Sequence, residues 1–139
     1  MSDAAAAAAA RIPAPSPDPL RTRKFRQAAF VYLHVGLLYE FVVYVTWREG
    51  FMPAVRGPAI LWLALGAAIT ALVVVGLWRW QNPWFARVIW ALHALRLPAL
   101  LRLAFFPSPD ANIPAALYVV AIPIVLVNLW MLARAGWDL

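Results

Sequence analysis

The chain contains no cysteine, which excludes disulfides, zinc–thiolate centres and cysteine-ligated iron–sulfur clusters. Serine is nearly as scarce. Ser2, Ser16 and Ser108 are the only ones, all outside the long apolar stretches, so a serine nucleophile within those stretches has no candidate. Acidic residues number six against twelve basic ones, and none are placed as a catalytic carboxylate pair. A glycine-rich phosphate loop, HExxH and GxSxG are absent as well. These gaps remove the commonest hydrolytic, metallo-enzyme and nucleotide-dependent chemistries, and the reading leans away from an enzyme.

What the chain has in abundance is hydrocarbon. In 139 residues, enough for one domain, 65% are hydrophobic and 13% charged, with a mean hydropathy of +0.74. A soluble domain has roughly 45–50% apolar and about 25% charged residues. Eight tryptophans, many near the ends of apolar stretches, fit the aromatic belts found at lipid headgroup level. The net charge of +6 raises the prospect of nucleic acid, but the placement of the basic residues argues against it. Arg11, Arg21, Arg23, Lys24 and Arg26 precede the first apolar stretch, and most of the others flank or enter the later ones. That is how topology determinants are arranged, and it suits anionic lipid headgroups.

Residues 1–24 read as a disordered cytoplasmic tail with a basic flank. Seven alanines are followed by four prolines within 13–20, which forbid a continuous helix there. The remainder, 25–139, divides into four transmembrane helices at about 25–47, 58–80, 84–106 and 114–135. Each is close to the ~20 residues a spanning helix needs. The links between them are short, and Gln81-Asn82-Pro83 is a tight turn, so the expected fold is an all-α, antiparallel up-down-up-down bundle. Pro98 and Pro123 are expected to kink the third and fourth helices. Eight basic residues fall on the N-terminal side and three on the other, predicting a cell (inner) membrane protein with both termini cytoplasmic.

Ionisable residues inside these helices are the candidate site. Glu40 lies ~20 Å along the first helix from Gln27, and Arg96 ~18 Å along the third from Trp84. The two are expected to share a layer and to pair, with His93 one turn below Arg96 able to join them; the alternative is that Arg96 bonds the carbonyls that Pro98 frees. His34 and His93, at ~10 Å and ~13 Å, are the only histidines and could ligate a b-type haem between helices. A metal site from His34, His93 and Glu40 is disfavoured, because His34 and Glu40 point about 120° apart around one helix. Asn128 is expected as interhelical glue near the level of His34. Gly66 and Thr70, like Ala67 and Ala71, have the small-xxx-small spacing that allows close backbone approach.

In helix number and in the position of Glu40 the chain resembles the small multidrug-resistance transporters, which would imply proton-coupled transport at that carboxylate. The strong charge bias and an arginine level with Glu40 depart from that pattern. The tryptophan content resembles that of the tryptophan-rich sensory proteins, which have five helices. Three functions follow from the residues. The first is a non-catalytic accessory or scaffold subunit of a membrane complex, contacting other subunits or a second copy of itself. The second is a small proton-coupled transporter or channel using Glu40. The third is a b-haem electron carrier using His34 and His93.

Overall fold

A computed structural model of the chain describes residues 18–50, 59–107 and 113–139. The first helix, α1, runs Pro19–Arg48. Asp18 starts it: its carboxylate accepts the Leu20 N–H at 2.9 Å, and Pro19 fills the first helical position, where a missing N–H costs nothing. The expected start at Phe25 is therefore too late, and the basic flank Arg21–Lys24 is helical. The rest of the expected tail, 1–17, lies outside the described residues. At 30 residues the helix is ~45 Å long, more than the ~30 Å of hydrocarbon it would cross. Its surplus is the arginine-rich first two turns.

Helix α2, Ala59–Val75, continues into a π-helical turn at Gly76–Trp80. The turn that follows is built residue by residue. Gln81 takes a left-handed φ of 48°, the Asn82 side chain accepts the Trp84 N–H at 2.9 Å, and Pro83 opens α3, Pro83–Ala94. Helix α4, Leu97–Phe105, is the second half of the expected third helix. The break between the two has a local cause. Pro98 has no N–H to give and its ring excludes the Ala94 carbonyl, so the Arg96 N–H moves to His93 O at 3.1 Å and regular bonding resumes at Leu100–Arg96, 3.0 Å. Helix α5, Ala115–Trp137, passes through Pro123 as one helix.

The described residues are all helix and connection, with no strand. Four stretches, Pro19–Arg48, Ile60–Trp80, Pro83–Phe105 and Ala115–Trp137, are each long and apolar enough to cross a membrane, the make-up of a multi-pass membrane protein.

The core is concentrated at one end. Phe25, Ala28, Ala29 and Tyr32 of α1 pack with Val73 and Leu77, with Ala86 and Ile89 of α3, and with Leu132 and Ala135 of α5. The polar contacts that tie helix to helix gather there too. Arg21 donates to the Gln81 carbonyl at 3.0 Å and Thr22 to its side chain at 3.2 Å. Lys24 pairs with Asp138 at 2.6 Å, and Arg134 reaches Gln27 at 3.4 Å. Arg87 donates to Gly136 O at 2.8 Å while its guanidinium lies over both Trp84 and Trp137, 5.0 and 5.3 Å from the ring centres. A cation bonded to the last carbonyls of α5 is favourably placed against the helix dipole. From Lys24 to Gln27 the partners on α5 step back from Asp138 to Arg134, and this register fixes the levels used below.

Candidate functional site: the intramembrane polar residues

Glu40 faces α2. Its carboxylate lies directly on the backbone of Gly66, where any side chain would displace it. One turn earlier the arrangement is reversed, with the Thr70 side chain of α2 seated against Gly36 of α1. The two helices thus interlock through Gly36/Glu40 on one and Gly66/Thr70 on the other, each glycine receiving its neighbour's side chain. The small spacing read at Gly66 and Thr70 is used inside the chain, between α1 and α2. Gly36 is the half of this seam that sequence reasoning missed, and its distance of one helical turn from Glu40 is the signal that could have exposed it.

Arg96 lies at the α3–α4 break and is exposed. It forms no ion pair with Glu40: among the described residues the only one is Lys24–Asp138. The expected shared layer fails for a reason visible in the register. The Gln81–Pro83 turn docks on Arg21 and Thr22, so α3 begins level with the first turn of α1 and not with Gln27. Tyr32 then meets His93, ring centres 5.2 Å apart and edge-on, which leaves Glu40 about 7 Å farther along than Arg96.

The two histidines do not face one another. Each ring nitrogen Nδ1 is bonded to the carbonyl one turn back, His34 to Phe30 O at 2.8 Å and His93 to Ile89 O at 2.9 Å. His34 is exposed and stacks on Phe30, centres 4.2 Å apart. Tyr32 points at His93, and His34, two residues on, lies about 200° away around the helix. The structure therefore brings His93 against Tyr32, and it turns His34 outward from that pair. It assembles no axial pair for a b-type haem. No group of three His, Cys, Asp or Glu side chains suited to a metal occurs among the described residues.

Asn128 is fully buried. Register along α5 sets it opposite Leu33–His34 of α1, the level of Tyr32 and His93. Neither its amide nitrogen nor its oxygen has a hydrogen-bond partner, so the glue expected of it is not formed within the described chain. A buried amide left this way costs about 1–3 kcal/mol.

No protein-family model matches the chain, and neither a curated protein nor a solved structure is significantly similar to it. What the site can do therefore follows from its geometry. Three polar groups stand at successive depths: Asn128 in the core and Glu40 in the α1–α2 seam, the first without a hydrogen-bond partner and the second without a cation among the described residues, and Arg96 exposed at a helix break. None of the three satisfies another.

Proposed function

We propose that the protein is a non-catalytic subunit of a larger assembly in the cell (inner) membrane, an accessory or scaffold component with both termini cytoplasmic and its helices running up-down-up-down. One observation carries this reading: Glu40 and Arg96 lie within membrane-length helices, and neither is neutralised by the other. Charges at such depth are costly, and proteins keep them where another group answers them. With no answering group among the described residues, a neighbouring subunit is the natural source. The surface agrees. In each span's most apolar stretch only 11–17% of residues are buried by the chain itself, so the helices offer most of their faces to lipid or to neighbours.

The test is purification in a gentle detergent followed by native mass spectrometry. A stoichiometric partner, or a second copy, is expected with the wild type, and Glu40→Gln or Arg96→Gln should release it while the protein still inserts. A monomer indifferent to both substitutions would overturn the reading.

A second reading has one observation in its favour. With Arg96 displaced along the axis, no cation among the described residues clamps the Glu40 carboxylate, which leaves it able to exchange a proton as a transporter's carboxylate must. In vesicles, Glu40→Gln would then abolish a pH-driven flux without altering assembly. The two outcomes are distinct.

A further inference from the structure

A crevice runs between α1 and α5 from the end that carries the described chain termini towards the middle of the span. Its first part, about 760 Å³, is lined by Thr22, Arg23, Arg26, Phe30, Trp78 and Met131, among others. A second cleft, about 270 Å³, is lined by Val35, Pro123, Ile124 and Val127. The two are neighbours in register, which is why we take them together as one crevice: Val31, which also lines the first, and Val35 are one turn apart on α1, as are Met131 and Val127 on α5. From Arg23 to Val35 the crevice spans ~18 Å, close to the ~15 Å of one hydrocarbon leaflet.

Its chemistry changes along its length. The inner part is wholly apolar: two valines, an isoleucine and a proline. At the mouth the other polar groups are already engaged. Thr22 bonds Gln81, Gln27 accepts from Arg134, and the nearby Lys24 is held by Asp138. Arg23 and Arg26 are the cations left over. Neither has a carboxylate partner among the described residues, and Arg26 is held over the Trp78 ring at 5.2 Å. A positive mouth with an indole beside it, opening onto a leaflet-deep greasy slot, is complementary to one class of molecule.

We propose that this crevice binds an anionic phospholipid, its phosphate between Arg23 and Arg26 and one acyl chain lying along Val31, Met131, Val35 and Val127. The charge supplies selection by headgroup and the slot supplies retention. Trp78 fixes the depth, since an indole settles at the interface.

Native mass spectrometry of the full chain in mild detergent, titrated with dioleoyl-phosphatidylglycerol or dioleoyl-phosphatidylcholine, tests this. Phosphatidylglycerol should be retained as a discrete adduct and phosphatidylcholine should not. Arg23→Gln with Arg26→Gln should weaken retention about 30-fold, each arginine near a lipid surface contributing about fivefold. Arg79→Gln removes a charge from the same end outside the crevice, and should leave retention within about twofold of wild type, against about fivefold for either crevice arginine alone. Val127→Trp, which fills the inner slot, should lower retention with both arginines present. Equal retention of both lipids, as large a loss from Arg79→Gln as from either crevice arginine, or glycerol phosphate competing as well as the whole lipid would each overturn the proposal. So would a polypeptide cross-linked along the crevice with no lipid retained.

Discussion

Gly36 and Gly66 face different neighbours, and the difference decides what one methyl group costs at each. At Gly36 a Cβ would meet the branched head of Thr70 close to its own backbone; at Gly66 it would meet the tip of Glu40. A threonine cannot retreat without moving its helix, whereas a glutamate can swing its last two torsions. Overpacking costs typically ~1–3 kcal/mol, offset in part by the ~1 kcal/mol that alanine gains over glycine in a helix. Gly36→Ala should therefore destabilise the protein by up to ~2 kcal/mol. Gly66→Ala should lie near neutral and report instead through Glu40. Unfolding in detergent, titrated with a denaturing surfactant, ranks the two.

Asn128 carries the opposite prediction. Its amide is fully buried and unbonded, so Asn128→Leu, of similar size, should be neutral or stabilising by about 1–2 kcal/mol in the same assay. A loss beyond ~1 kcal/mol would mean that a group outside the chain bonds the amide in the membrane. At this scale the sequence was a partial guide. The ionisable residues within the spans and Asn128 were legible, because each is costly there, whereas the buried Thr46, bonded to the carbonyls of its own helix, was not. Their pairings were not. Those depend on where α3 begins, and a turn docking on Arg21 and Thr22 moved that start by more than a helical turn relative to Gln27.

Helix ends were the most readable feature of the elements. Asn82-Pro83 is a cap and a first turn on sight, and so, in retrospect, is Asp18-Pro19, hidden because the prolines before it read as tail. Pro98, expected to kink its helix, sits at a break, whereas the helix that holds Pro123 is unbroken. The π-helical turn at Gly76–Trp80 left no trace in the pattern, since its residues are as apolar as those of an α-helix. The clasp between α1 and α5 was equally hidden, resting on contacts between residues far apart in the chain. It makes a pH prediction. Lys24 donates a hydrogen bond to Asp138 and its charge adds to the effect, together with that of Arg21, holding the Asp138 carboxyl below the usual aspartate range. A depressed folded-state pKa gives a contribution that is whole above the ordinary value of about 3.9 and is lost as pH falls through the lower one. Spin labels at Leu20 and Leu139 should thus show a narrow distance distribution at neutral pH that broadens only below about pH 4. Asp138→Asn should be broad throughout, and added salt should broaden the wild type, because Asp138 is exposed.

For the molecule as a whole, the uneven core is the feature that constrains everything else. Buried apolar residues and interhelical polar contacts gather at the end where α1 begins and α5 finishes, so the helices are clamped there and have less holding them beyond the level of Asn128. The third span is the weakest of the four by this measure: only 11% of its most apolar stretch is buried, it is broken at Arg96, and it carries Arg87, His93, Arg96 and Arg102. Its crossing of the bilayer is favoured because two of those polar groups are accounted for: Arg87 by Gly136 and two indoles, His93 by Ile89 and Tyr32. A compartment reporter fused after Pro107 should therefore respond from the side opposite to one fused at Leu139, and one inserted at Asn82 should agree with Leu139. If the Pro107 and Leu139 reporters answered together, α3, α4 and α5 could not be laid across the membrane as their lengths allow. The charged residues would then need no partner subunit, and the crevice between α1 and α5 would open to water instead of to lipid.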